Sequence, residues 1–367
     1  MIIKNKIRDF LSLVLGKIFR VKKYPANLIK RDFECAVIRK ILIIRQNQGI
    51  GDMVLLSPVI KALKQSSYEK RVDMLVSEYN YPAVKGNPNV TRFYIWKKSC
   101  LFNWLRILRD IRKENYDIVI GVWSHTPSFT TLLYALLSGS KRTVSYNSFQ
   151  FNKTLWSRYM ISCEIDAPSS YKELERFRGL VSFLGLNVDE RTEFHIGDEY
   201  IEAGKKFYFE LSKPKVGIFL GGNSKRTDRL WRTQGWAEIV RKLIERKISV
   251  VAVVPPKRIK AGGGEREVNF YDEVCRKAGF KIPKFSHSDI MMVGAFIKNL
   301  DVFVCPDGGI FHISVACGVK TVGIFIKTDS KRWSPDAKWV SCVQSADGTA
   351  CGVSCDDVFK AVLRFLE

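Results

Sequence analysis

Asp307-Gly308-Gly309-Ile310-Phe311-His312 places a carboxylate, two glycines and an imidazole within six residues, directly after the apolar run Val302–Cys305. The run reads as a strand that ends at Pro306, and the segment carrying His312 reads as the start of a helix. Gly308 and Gly309 remove Cβ atoms where the chain turns, which lets backbone N–H groups come close to a ligand. Asp307 offers an acceptor and His312 a donor at nearly the same point. This set suits the phosphates and ribose of a nucleotide. A second set, Gly221 to Arg229, again lies between an apolar run (Val216–Leu220) and a helical segment (Trp236–Ile244). Ser224, Lys225, Arg226 and Arg229 fall on this loop, and cations ahead of a helix are what a diphosphate requires. Trp333, in Lys331-Arg332-Trp333-Ser334-Pro335, follows the apolar run Thr321–Phe325, a position that serves either core packing or substrate contact.

The chain of 367 residues is long enough for two domains with full cores. With 46% hydrophobic and 26% charged residues, its composition is that of a soluble globular protein, and no apolar run approaches the roughly 20 residues that span a bilayer. The net charge of +23 calls for an anionic partner: phosphorylated substrates, an acidic membrane surface or nucleic acid. Nine cysteines, an odd number, argue against a complete disulfide framework, and the Cys342, Cys351 and Cys355 set has no zinc-site spacing. The expectation is reduced thiols in a cytoplasmic protein and no metal site.

The elements that must position these residues form a repeating pattern. Residues 1–39 make an extension in which Ile7, Phe10, Leu11, Val14, Leu15 and Ile18 recur at helical spacing among Lys4, Lys6, Arg8, Lys17, Arg20, Lys22 and Lys23. Such a basic amphipathic helix either lies in an anionic membrane surface or docks on the protein body. Pro25 and Lys30-Arg31-Asp32 read as a linker. Ile41–Arg45 is a buried strand, Gln46 to Asp52 a loop, and Met53–Leu63 a helix. Strands at Val72–Val76 and Asp117–Ile120 flank a helical Trp104–Lys113 segment. The pattern restarts at Val216–Leu220 and continues through Ser249–Val254, Asp301–Val304 and Thr321–Phe325. Alternating strands and helices imply parallel sheets with covered faces. The expected architecture is α/β, with two Rossmann-like domains (residues 40–200 and 205–350) facing across a cleft and a C-terminal helix at 351–367. Ligands then sit outside the carboxyl ends of the strands.

With these motifs in place, the chain resembles the ADP-heptose:lipopolysaccharide heptosyltransferases and their relatives, glycosyltransferase family 9, which have the two-domain GT-B fold. The resemblance rests on three stretches. These are the strand Ile41–Arg45 with Gly51-Asp52 and Pro58, then Arg229 two positions before Trp231, and then Asp307-Gly308-Gly309-Ile310-Phe311-His312 followed by Trp333-Ser334-Pro335. It runs from Ile41 to the C-terminus, with residues 100–200 matched loosely. Gly308 stands where the family has a hydroxyl residue, and Arg229 where it often has lysine.

The resemblance implies an inverting glycosyltransferase that moves a sugar from a nucleotide-diphosphate sugar, ADP-heptose first among them, to the lipopolysaccharide core. Asp52 is then the base that takes the acceptor proton, with Asn47 and Gly51 as weaker substrate contacts; a helix cap is the competing role for Asp52. A helix N-terminus makes a carboxylate a weaker base, an effect that partial burial opposes. Ser224, Lys225, Arg229 and the backbone at Gly308–Gly309 serve the leaving diphosphate, His312 a phosphate, Asp307 the nucleotide, and Glu265 the ribose. No Asp-x-Asp pair occurs in the chain, so turnover is expected to need neither metal nor cofactor. The partners implied are the donor, the acceptor and the anionic cytoplasmic face of the inner membrane, with no specific nucleic acid. Other nucleotide-sugars and protein acceptors stay open. So do a nicotinamide-dependent dehydrogenase, for which Asp73 has roughly the required spacing although the glycine fingerprint is incomplete, and a nucleic-acid-binding protein, for which no motif is evident.

Overall fold

The computed structural model describes residues 2–47, 49–66, 68–98, 100–123, 126–208, 212–221, 227–256 and 264–367, apart from the side chains of residues 2–4, 208, 227 and 264–269. The chain divides into two compact units, Met1–Arg191 and Thr192–Glu367. The first opens with α1 (Ile2–Ile18), α2 (Ala26–Glu34), β1 (Lys40–Arg45), α3 (Ile50–Leu55), α4 (Ser57–Lys64), β2 (Arg71–Ser77) and β3 (Arg92–Trp96). It continues through α5 (Leu101–Glu114), β4 (Ile118–Gly121), α6 (Phe129–Leu137), β5 (Thr143–Tyr146), α7 (Phe149–Asn152), α8 (Trp156–Met160), β6 (Cys163–Ile165) and α9 (Glu173–Ser182). The second unit begins with α10 (Asp198–Lys205), β7 (Lys215–Phe219), α11 (Thr233–Glu245), β8 (Ser249–Val253), α12 (Gly264–Ala278), β9 (Lys284–Phe285) and α13 (Ile290–Lys298). It closes with β10 (Val302–Pro306), α14 (Gly309–Ala316), β11 (Lys320–Phe325), α15 (Ser330–Trp333), β12 (Val340–Gln344) and α16 (Cys355–Leu366).

Both expected sheets are present and parallel. Their strand orders are β3-β2-β1-β4-β5-β6 and β12-β11-β10-β7-β8-β9. In β10 the side chains alternate between two apolar layers: Val302 and Val304 join one core with Trp236 and Val358, while Phe303 and Cys305 join another with Phe296 and Phe311. A strand buried on both faces carries no polar alternation, which explains its continuous apolar run. Each sheet reverses its order once, between β1 and β4 and between β7 and β10, and open α/β sheets bind ligands outside the carboxyl ends at such a reversal.

Four expectations change. The division between units falls at Arg191–Thr192, ahead of residues 200–205, because α10 packs closely on α13, with Gly204 against Ala295. The C-terminal helix starts at Cys355 rather than residue 351, and Val358, Ala361 and Val362 on it belong to the core of the second unit. The Met53–Leu63 helix begins earlier, at Ile50, and is broken at Leu56, so that Asp52 lies in the first turn of a helix and not in a loop. Pro58 accounts for the break: it lacks an N–H and its ring would clash with the carbonyl four residues back.

The fourth change concerns the linker, which is α2. Its Asp32 is buried, accepts from Arg142 Nε at 3.0 Å and Nη2 at 2.6 Å, and accepts from Tyr24 Oη at 2.6 Å. These donors hold the Asp32 carboxyl below the usual carboxylate range, the Tyr24 hydrogen bond contributing most. Lys70 Nζ, also buried, donates to Ile38 O at 3.0 Å just beyond α2. The helix is therefore fixed to the first unit by buried charges that each have partners.

Candidate functional site

In the first unit the strand β1 ends on Arg45, which is 2% exposed. Its Nη2 donates to Asp52 Oδ2 at 2.6 Å across the turn into α3. Asp52 is itself largely enclosed, its side chain 13% exposed. Gly49 makes this approach possible. Its φ of +154° is a conformation L side chains rarely adopt, and a Cβ there would strike the Asp52 carboxylate. The other carboxylate oxygen, Oδ1, has no hydrogen-bond partner among the described residues. Gly51 lies inside α3, one residue before Asp52.

Asn80 fixes the backbone on which this pair stands. Fully buried, it donates through Nδ2 to Arg45 O at 2.9 Å and Asn47 O at 2.8 Å, and its Oδ1 accepts from Ser77 N at 2.8 Å. From the β4 side, Ser128 caps α6 by accepting from Thr131 N and donates to Asn47 Oδ1 at 3.1 Å. Gln46 Oε1 accepts from Thr131 Oγ1 at 3.0 Å. The loops after β1 and β4 are thus tied together at the reversal of the first sheet.

The second unit repeats the scheme with the charges exchanged. Arg229, at the end of the short turn Thr227–Arg229 after β7, donates from Nη1 to Asp307 Oδ2 at 2.8 Å. The same oxygen accepts from Thr328 Oγ1, beyond β11, at 2.6 Å. Asp307 is buried and follows β10 directly, so three adjacent strands of the sheet send one group each to a single point. Asp307 is engaged by protein donors, and its geometry is that of a holder for Arg229 more than of a nucleotide ligand. The Arg229 side chain is 21% exposed, while its buried Nε has no partner among the described residues.

Gly308 precedes α14 in an extended conformation, and a Cβ built there meets no atom within 4 Å. The turn does not itself demand a glycine at 308: the residue leaves open space beside the α14 N-terminus, where a hydroxyl side chain would also fit. Gly309 is the first residue of α14. His312 lies in its first turn, buried, with its ring 6.0 Å from that of the half-buried Trp333 on α15. Trp231, two residues after Arg229, is a core residue: its ring packs edge-on to Trp236 at 5.1 Å and its Nε1 donates to Val353 O at 3.3 Å.

Ser224 and Lys225 lie outside the described residues, as does the side chain of Glu265 on α12. The structure brings Arg229, Asp307, Gly308, Gly309, His312 and Trp333 to the carboxyl ends of β7, β10 and β11, and Asn47, Gly51 and Asp52 to that of β1. Arg45, Asn80, Ser128 and Thr328 are additions that spacing does not reveal. Only Arg45 leaves a trace in the sequence, as a lone cation closing an apolar strand. Asp73, weighed for a dehydrogenase, is the third residue of β2 and is fully buried with Arg71 at 2.7 Å and Tyr116. It sits in the amino half of its strand, where a ribose-binding carboxylate would not be.

Known proteins resemble this chain in sequence and in fold. The family model for glycosyltransferase family 9 (heptosyltransferase) matches residues 104–361, which include both elements of the Arg229–Asp307 pair and begin beyond Asp52. Lipopolysaccharide heptosyltransferase 3 of Escherichia coli (strain K12) is 23% identical over 300 residues, covering 78% of this chain and 82% of that protein. Among solved structures, the family 9 glycosyl transferase of Veillonella parvula DSM 2008 superposes with a TM-score of 0.73 at 15% identity, covering 89% of this chain and 97% of that one. The ADP-heptose lps heptosyltransferase II of E. coli gives 0.69 at 14% identity, covering 89% and 98%. At these identities the solved structures establish a shared fold.

Proposed function

Because the chain belongs to glycosyltransferase family 9, we propose that it moves a heptose from ADP-heptose to the lipopolysaccharide core, with inversion at the anomeric carbon and without a divalent metal. The observation that carries this reading is a charge pair in each unit: a carboxylate held by a buried arginine in one and an arginine held by a buried carboxylate in the other. The names of the relatives support the donor and the acceptor. In this reading the first unit takes the acceptor and the second the donor.

Asp52 Oδ1 accepts the proton of the acceptor hydroxyl as its oxygen attacks the anomeric carbon. The bond from that carbon to the diphosphate breaks as the new one forms, and attack from the face opposite the leaving group inverts the centre. Negative charge grows on the diphosphate, and Arg229 together with the N–H groups at the start of α14 stabilises it. In this reading Ser224 and Lys225 also serve the diphosphate, His312 a phosphate and Glu265 the ribose. Arg229 and the α14 N-terminus supply the positive charge that a metal held by an Asp-x-Asp pair would otherwise supply.

In this reading the acceptor is anchored in a bilayer and the reaction takes place at the anionic cytoplasmic surface of the inner membrane. Two features support this location: the net charge of +23 and the exposed apolar residues Ile7, Phe10, Leu11 and Ile18 of α1. No helix among the described residues is long and apolar enough to cross a membrane. Deleting residues 1–23 would be a poor test, because Lys23 Nζ donates to Arg158 O at 2.7 Å and Ile161 O at 2.9 Å and is part of the unit.

Gly308 and Arg229 depart from the family pattern at the donor half-site, so another nucleotide-sugar is the second reading. A thermal-shift panel of ADP-, UDP-, GDP- and CDP-sugars separates the two. A ligand at about 100 times its Kd stabilises the native state by about 2.7 kcal/mol, a rise of a few degrees in Tm. ADP-heptose is expected to give the largest rise; a larger one from a UDP-, GDP- or CDP-sugar would reassign the donor.

A further inference from the structure

We propose that α5 is a second lipid-binding element beside α1, so that one helical layer of the first unit forms a two-anchor seat on an anionic bilayer surface; this rests on the membrane location proposed above. The layer is continuous. The Trp104 ring on α5 lies 5.9 Å from Tyr134 on α6, and the Phe129 ring on α6 lies 5.4 Å from Trp156 on α8. Arg8 of α1 stacks over both Phe129 and Trp156, at 5.5 and 5.4 Å.

At the two ends of this layer the helices turn apolar side chains outward. On α5 the buried face is Asn103, Ile107 and Ile111, while Leu101 is 69% and Phe102 85% exposed, with Leu105 exposed next to them. Arg106, Arg109, Arg112 and Lys113 are exposed on the same helix, and Leu105, Leu108, Arg109, Arg112 and Lys113 line a shallow surface groove. On α1 small and polar groups dock at the closest contacts, beside the half-buried Leu13, Val14 and Leu15. Ser12 is buried, Gly16 sits so close to Tyr159 O that a Cβ would collide with it, and Asp9 Oδ1 accepts from Leu155 N at 2.9 Å. Phe10 and Ile18 are left 66% and 65% exposed. A helix docked for stability alone would bury its large apolar residues; α5 does bury Ile107 and Ile111, but Leu101, Phe102, Phe10 and Ile18 are left outside as well.

Charge selects the occupant. The acids on these helices are engaged: Asp9 on the Leu155 backbone, Asp110 on Arg109, and Glu114 on Arg71 and Arg92. Lys6, Lys17, Arg20 and Lys22 around α1 and the cations of α5 remain exposed. A second copy of the chain seated on this face would bring like charges together, whereas anionic headgroups attract them and the acyl boundary accepts Phe and Leu. Arginine and lysine stems lie along apolar surface while their heads stay among the headgroups. One anchor would leave the unit free to swivel on the membrane; two fix which side faces it.

The test is co-sedimentation of the full chain with vesicles of phosphatidylglycerol and phosphatidylethanolamine, and with neutral phosphatidylcholine vesicles. Phe102→Ser with Leu105→Ser removes the α5 anchor, and Phe10→Ser with Ile18→Ser the α1 anchor; all four residues are exposed, so melting temperature should not move. The wild type is expected to bind the anionic vesicles only, and each double variant to bind them at least about tenfold more weakly. If the α5 variant binds like wild type while the α1 variant is weakened, α5 is no anchor and the membrane location stands. If wild type prefers no anionic vesicle, both fall. If the variants instead convert a dimer to a monomer without changing vesicle binding, the face is an interface between copies and the proposal is overturned.

Discussion

Asp52→Asn is expected to lower kcat for sugar transfer by about a hundredfold or more, the scale of a lost general base, with the donor KM nearly unchanged. The substitution separates the chemistry from the structure. Asparagine keeps an oxygen that can accept the Arg45 hydrogen bond, so the buried guanidinium is not orphaned and α3 keeps its start. What disappears is the oxygen able to take a proton. The Arg45 pairing fixes the carboxylate's direction, and Oδ1 is the atom left to meet the acceptor hydroxyl. Removing Arg45 would have a different effect, releasing the carboxylate's aim and leaving its charge enclosed without a cation. If Asp52→Asn turns over near the wild-type rate, Asp52 serves only as the partner of the buried Arg45 and the base lies elsewhere.

Arg229→Ala is expected to raise the donor KM, lower kcat, or both, for a combined loss of about ten- to hundredfold or more in kcat/KM for the donor, while acceptor KM changes little. A charge-assisted hydrogen bond to the diphosphate contributes about 1.5–3 kcal/mol. Truncation also strips the buried Asp307 of its cation, leaving Thr328 as the donor to that oxygen. Arg229→Lys controls for this: it restores a charge near Asp307 but not the planar fork that can hold Asp307 with one nitrogen and a phosphate with others. It should recover stability and only part of the donor affinity. Unchanged donor kinetics in both variants would remove Arg229 from the diphosphate site.

The surroundings of Asp307 are more legible in the sequence than those of Asp52, for a physical reason. Gly-Gly and Pro punctuate the end of β10, and a cluster of cations after β7 stands out against apolar strands, so both loops are visible as motifs. Asp52 was legible as a carboxylate after a strand, but the features that make it usable were not. The Arg45 pairing depends on how β1 and α3 meet, Gly49 is needed only because of that approach, and Asn80 contributes from 35 residues beyond Arg45. Asp307 reads in the sequence as a ligand because nothing local suggests that Arg229, 78 residues earlier, and Thr328, 21 later, converge on it. α2 reads as a linker because its polar run conceals a buried carboxylate whose partner, Arg142, is 110 residues away. In each case the missing information is a long-range pairing, which periodicity and local spacing do not encode.

The central claim is tested most directly by incubating the purified chain with ADP-heptose and heptose-deficient lipopolysaccharide core in EDTA, and following the acceptor by mass spectrometry and the new linkage by NMR. The expected product is an acceptor heavier by one heptose, with the anomeric configuration opposite to that of the donor and a rate insensitive to EDTA. Transfer with retained configuration, transfer abolished by EDTA and restored by Mg²⁺ or Mn²⁺, or no transfer from ADP-heptose at all would contradict the account.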